Sequence, residues 1–171
     1  IQGLEIATKS LKLLQKKYDL VILEGAGSPT EINLEKSDIA NMRMAELSNS
    51  SVLLITDIDR GGSFASIVGT MSLLEKKHQK LIKGFIINKF RGDINILKPG
   101  FKKINEITKH PILGTIPMFD FDLPEEDSLS GKAKNITWNK KNLDKMESEI
   151  DKLSKLVNSN LNITKIERMI S

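Results

Sequence analysis

Four short apolar runs, at residues 20–23, 51–56, 84–87 and 111–116, constrain this chain more than any other feature. Each is continuous rather than alternating, the pattern of a strand covered on both faces, which is the habit of parallel sheets. Helical patterns separate them. Residues 1–17 place Leu4, Ala7, Leu11 and Leu14 on one face, with lysines elsewhere. Ser37 and Asp38 can cap a helix over 39–48. Residues 64–77 turn Phe64, Ile67, Val68, Met71 and Leu74 inward, and a helix over 100–109 follows Pro99, which suits a first turn. This alternation argues for right-handed βαβ units. The expected fold class is α/β, a parallel sheet of four strands from this chain with helices on both faces.

The remainder is simpler. Residues 118–142 read as loop, acidic at Asp120, Asp122, Glu125, Glu126 and Asp127. The Lys/Asn-rich stretch 132–142 comes nearest to a linker. Residues 143–157 read as an amphipathic helix with Leu143, Met146, Ile150, Leu153 and Leu156 inward, and Thr164 with Glu167 as the capping box of a short last helix.

The chain has 171 residues, enough for one domain with a sizeable core. It lacks cysteine, which excludes disulfides, thiolate nucleophiles and cysteine-built zinc sites. His78 and His110 are too few for a three-histidine zinc site. His110 reads as a helix-end cation and His78 as a solvent-facing residue at a helix end. The net charge of +4 lies wholly in residues 131–171, because residues 1–130 hold 17 basic and 17 acidic side chains. A lysine-rich tail without interleaved aromatics is a solvated helix face, so no nucleic acid is expected as partner. No run approaches the ~18 apolar residues of a membrane span and no signal peptide opens the chain, so a cytoplasmic location without membrane partners is expected.

The chemistry sits where the runs end. They stop at Glu24-Gly25-Ala26-Gly27-Ser28, at Asp57-Ile58-Asp59-Arg60-Gly61-Gly62, at Asn88-Lys89-Phe90-Arg91-Gly92-Asp93 and at Pro117. In a parallel sheet these ends share one rim, where ligands of open α/β sheets sit. A carboxylate there can hold a cation, and bare glycines let backbone N–H groups approach an anion. Convergence of Glu24, Asp57, Asp59 and Asn88 suggests a metal–phosphate site, with magnesium for such hard oxygen ligands. Plainer roles stand beside these. Glu24 can simply begin a loop, Asp57 and Asp59 can cap the next helix, Arg60 can pair with a carboxylate, and Asn88 can be a turn residue. A phosphate cradle of the form G-x-x-x-x-G-K-[ST] is absent: Gly131-Lys132 precedes Ala133, with Glu126 where the first glycine should stand.

Taken in order, DLVILEGAGSPTEINL, DIANM, LLITDIDRGGSFASIVGT, KGFIINKFRGD, LKPGF, PILGTIP and LPEEDSL resemble the cobyric acid synthase family. That family belongs to the dethiobiotin synthetase-like, glutamine-dependent amidotransferase group of P-loop proteins. The resemblance covers residues 1–130 and weakens beyond.

The resemblance implies a P-loop NTPase-like, dethiobiotin synthetase-like fold, incomplete at its N-terminus. It implies an ATP-dependent enzyme of cobalamin biosynthesis. Carboxylates of a corrinoid substrate, adenosylcobyrinic acid a,c-diamide, become acyl phosphates, and ammonia from glutamine displaces phosphate. It assigns Glu24 to Mg2+, and Gly25, Ala26, Gly27 and Ser28 to the loop facing the reacting carboxylate. Asp57 and Asp59 become catalytic, with Arg60, Gly61 and Gly62 on the corrinoid. Asn88 would read adenine, since an amide both donates and accepts, and Pro117 would lie against the base. The family's P-loop and its cysteine-dependent glutaminase domain have no counterpart in this sequence. The chain is therefore expected to be the middle-to-late part of a synthetase domain, inactive alone. Residues 1–130 would be domain proper, and 131–171 a basic linker with closing helices. The glutaminase domain of the longer protein would be its partner, and an open sheet edge would favour self-association. Two other readings are a related amidating ligase acting on another carboxylate, and a non-enzymatic ATPase switch or remnant binding module.

Overall fold

The computed structural model describes residues 2–33, 38–123 and 140–170. Helix α1 spans Gln2–Lys17 and α2 Met42–Ser48; strand β1 spans Val52–Asp57, followed by α3, Ser63–Leu73, and α4, Lys76–Gln79. Strand β2 is Ile82–Phe90, a 3-10 turn covers Ile94–Leu97, α5 is Lys98–Thr108 and β3 is Ile112–Pro117. Helices α6, Lys140–Asn160, and α7, Ile163–Ile170, complete the order.

The sheet is parallel, in the order β1-β2-β3, with helices around it. Its centre is β2, whose Ile82, Phe85, Ile86 and Ile87 are all buried. Phe85 packs in one cluster with Ile67 and Met71 of α3, Ile104 of α5 and Met42 of α2. Truncating such a fully buried phenylalanine costs about 3–5 kcal/mol. Gly84 permits close approach of β3: a Cβ there would meet Leu113 Cδ1 and Cγ at 2.7 Å.

The first apolar run departs from expectation. Residues 20–23 form no strand, Ile22 is 84% exposed, and Leu20 and Leu23 are also exposed. A strand exists by hydrogen bonds to a neighbour, and none lies beside this segment among the described residues. Among the described residues the sheet accordingly has three strands where four were expected. No described strand pairs with the outer edge of β1, and Ile55 of β1 is 59% exposed.

Helix ends also differ. Asp38 accepts from the N–H groups of Ala40 and Asn41, closing a turn ahead of α2 instead of capping a helix from residue 39; Ser37 lies outside the described residues. The third helix stops at Leu73 because Leu74 is extended, and Gln79 Nε2 donates to the carbonyls of Met71 (2.7 Å) and Leu74 (2.8 Å). His78, expected in solvent, has a side chain only 15% exposed; it faces Glu46 Oε2 at 3.1 Å, beside Lys77 at 3.0 Å. Thus α2 and α4 are joined by Glu46.

The tail helix keeps part of the face that was read, with Met146, Leu153 and Leu156 half-buried, but departs from it elsewhere. Leu143 and Ile150 are exposed, whereas Glu149 is buried. Glu149 accepts from the Asp122 N–H at 3.4 Å and from Lys152 at 2.6 Å, and Lys145 pairs with Asp122. A buried charge with partners thus overrides the apolar pattern. Asn162, not Thr164, caps α7, accepting from the Lys165 N–H at 3.0 Å. Helix α7 crosses from the β3 edge, where the Asn162 N–H donates to Leu113, to the start of β1, where Ser51 Oγ donates to Met169. Glu125, Glu126, Asp127 and most of the expected linker lie outside the described residues. No described helix is long and apolar enough to cross a membrane.

Candidate functional site

Parallel pairing brings three strand ends together. Asp57 stands opposite Asn88, and Pro117 opposite Phe90. Backbone bonds extend the seam beyond the strands, from the Ile58 N–H to Asn88 (3.1 Å) and from the Met118 N–H to Phe90 (2.8 Å). Asp57, Asp59, Arg60, Asn88 and Pro117 therefore share one rim, as the sequence suggested.

The glycine loop reaches the same rim from the open side of β1. Gly27, Ser28 and Pro29 face Leu54–Asp57, Gly61 and Ser63 across a cavity of about 300 Å³. A second cavity, of about 650 Å³, lies on the loop's other side, against Asn41, Arg43, Glu46 and His78. Ser28 and Pro29 form the wall between the two. Gly27 has φ +65°, and Gly61 and Gly62 have +79° and +73°, values that favour glycine. A serine turn, with the Thr30 N–H donating to Ser28 Oγ at 3.3 Å, closes the glycine loop.

Asn41 holds that loop, and the sequence reading gave it no role. Its Nδ2 donates to the carbonyls of Ala26 (2.7 Å) and Ser28 (3.4 Å), while its side chain makes no cap for α2. Gly25 leaves room for it, because a Cβ on Gly25 would overlap Asn41 Oδ1.

The rim's carboxylates are not bare. Asp57 Oδ2 accepts from Lys89 Nζ at 2.7 Å and its Oδ1 from the Asp59 N–H at 2.9 Å. The Lys89 hydrogen bond, then that N–H, hold the Asp57 carboxyl below its usual range, with the charges of Lys89 and Arg60 assisting and desolvation opposing. Asp59 accepts from Arg91 Nε at 3.2 Å. The sequence signal for these two pairs is the matched spacing of Asp57-x-Asp59 and Lys89-x-Arg91. Asn88 Oδ1 accepts from the Lys89 N–H at 2.9 Å, while its Nδ2 has no acceptor among the described residues. The turn role is thus present at the oxygen, and the donor half of the amide remains available.

Glu24 is exposed and makes no hydrogen bond or ion pair among the described residues. No group of three His, Cys, Asp or Glu among those residues is placed to hold a metal ion. The expected four-residue metal set is therefore not assembled, and Asp57 and Asp59 are engaged by cations. A lone carboxylate still fits magnesium, which keeps several waters and takes one or two carboxylates plus phosphate oxygens.

Comparison with known proteins identifies the family. The model of a family described as an AAA domain matches residues 1–121. A Methanococcus vannielii protein named probable cobyric acid synthase is 52% identical over 156 residues, 91% of this chain and 31% of that protein. A protein of the same name from Thermococcus kodakarensis is 56% identical over 126 residues, covering 74% of this chain and 26% of its own length. One from Methanothermobacter thermautotrophicus is 52% identical over 129 residues, covering 75% and 26%. The chain thus spans about a third or less of the curated relatives it matches, at 31% of the first. No solved structure matches it. With a P-loop NTPase-like parallel sheet and a family match over residues 1–121, the chain belongs to the AAA domain family and is related to proteins named cobyric acid synthase.

Proposed function

We propose that this chain is the substrate-side portion of a cobyric acid synthase's synthetase domain. The whole protein would amidate carboxylates of adenosylcobyrinic acid a,c-diamide, using ATP and ammonia from a glutaminase domain. The observation that carries this is the cavity between the Gly27–Pro29 loop and the Asp57–Gly62 loop, in a chain 52% identical to a protein of that name.

The chain's residues divide the work. Backbone N–H groups of Gly25–Ser28, held by Asn41, orient the reacting acid. Arg60, which has no ion pair among the described residues, attracts the anionic corrinoid. Asp57 and Asp59, fixed by Lys89 and Arg91, shape the loop beside it. The free Asn88 amide nitrogen donates to adenine, with Pro117 against the base. Glu24 would hold Mg2+, which supplies charge neutralisation as phosphoryl transfer proceeds.

Amide formation by the intact protein decides the matter, assayed with the corrinoid acid, ATP, magnesium and glutamine. We expect ATP-dependent amidation that falls roughly a hundredfold in Glu24→Gln, the scale seen on removing other electrostatic transition-state groups. Folding should change little, since Glu24 has no partner among the described residues. No amidation by the wild type overturns the reading, and normal turnover in Glu24→Gln removes that residue from the site.

A further inference from the structure

Strand β2 ends in a distortion. Lys89 has φ 59°, a left-handed conformation, and the β2–β3 register shifts between Ile87 and Phe90. Lysine lacks the short polar side chain that lets asparagine or aspartate adopt this conformation readily. Strain of this kind persists where surrounding structure demands it, and bulges re-aim side chains. Here the Lys89 ammonium lies against Asp57 Oδ2 at 2.7 Å.

Asp57 passes that restraint on. Its other oxygen takes the Asp59 N–H, and the Gly61 N–H donates to Ile58 at 2.9 Å. Gly62 then starts α3, its carbonyl accepting from the Ser66 N–H. One ammonium thus sits at the head of a chain of bonds running through the 57–62 loop, which walls the cavity beside Gly27–Pro29. Two residues on, Arg91 repeats the arrangement on Asp59. The charges facing Asp57 are Lys89 and Arg60.

We propose that Lys89 is a positioning residue for the amidation reaction, fixing the 57–62 loop over the cavity through Asp57, with Arg91 supporting Asp59. This rests on the function proposed above. A residue that only fills a turn would be improved by glycine. A positioning residue would gain backbone relief from glycine and still lose activity.

The test uses the intact protein and its Lys89→Gly, Lys89→Met and Lys89→Arg variants. Thermal melting, carboxyl NMR titration of Asp57, amide exchange at Asp59 and Gly61, and kcat with KM are measured. Lys89→Gly should melt no lower than wild type, since glycine relieves the backbone and the lost pair is exposed. Its kcat should nevertheless fall at least tenfold with nucleotide KM within twofold. The Asp57 midpoint should rise and exchange at Asp59 and Gly61 should quicken. Lys89→Met should lose as much kcat, and Lys89→Arg should restore most of it. Wild-type kcat in Lys89→Gly, or unchanged exchange in the loop, overturns the proposal. If the wild type forms no amide, the functional reading fails separately, and Lys89's hold on the loop is judged by titration and exchange alone.

Discussion

Gly25 and Asn41 should behave as one unit. In Gly25→Ala the new Cβ overlaps Asn41 Oδ1, with Cγ at 3.4 Å and the Ala40 carbonyl at 3.8 Å. The obstructing atom is the end of a side chain, so the amide turns away and the backbone stays. What is lost is the bond to Ala26 at 2.7 Å and the longer one to Ser28. The first contributes about 0.5–1.5 kcal/mol, and the second adds little at its length. Gly25 is not among the left-handed glycines, so alanine gives back about 0.4–1 kcal/mol by restricting the unfolded chain. The single variant should therefore lose no more than about 1 kcal/mol, or about 2–4 °C of melting temperature for a protein of this size. Asn41→Ala should lose the full hydrogen-bond contribution. In the double variant the Cβ meets nothing it must displace, so Gly25→Ala turns stabilising there. Urea melts of the four proteins give a coupling of about 1 kcal/mol if this is right. Additive losses would refute the reasoning, since they would mean that the Gly25 Cβ and the Asn41 amide do not compete for the same space.

Other expectations follow from single contacts. Asn88→Asp keeps the acceptor for the Lys89 N–H but removes the free donor, so in the intact protein ATP affinity should fall by about 1–3 kcal/mol while stability holds. Unchanged ATP affinity and unchanged preference over GTP would leave Asn88 as a turn residue only. Glu46 is held below its ordinary 4.5 chiefly by the Lys77 hydrogen bond, then by His78. Its contribution is present above that unfolded value and is lost as pH falls through the folded one. Melting curves between pH 6 and 3 should therefore fall more steeply for wild type than for Glu46→Gln; parallel curves would contradict the pairing. The open β1 edge and exposed Ile22 and Ile55 should make this 171-residue chain self-associate, and light scattering showing a clean monomer at high concentration would refute that.

Three of the four apolar runs were legible as parallel strands because they pair with one another. The run at 20–23 had the same composition, but a strand is a relation between segments, and its own residues say nothing about the neighbour. The rim was legible for a similar reason: once the strands are parallel, Asp57 and Asn88 must stand side by side. What escaped was the wiring between motifs. Asn41 lies 15 residues from the Ala26 carbonyl it holds, and Lys89 lies 32 from Asp57. Neither pairing follows a helical or strand period. The left-handed turn at Lys89 escaped because lysine does not advertise it. In the tail, Glu149 escaped because its burial depends on a backbone N–H of residue 122, outside any local pattern.

The bond from Ser51 to Met169 joins residues 118 apart. Ribosomes add about 5–20 residues per second, so on the order of ten seconds separate their synthesis. The three described strands pair with their sequence neighbours and are complete before α7 exists. From the making of Pro117 until α7 is made, the described strands can stand paired while the root of β1 is uncovered. Translation speed through residues 118–170 thus sets how long an unfinished sheet is offered to chaperones and to other nascent chains.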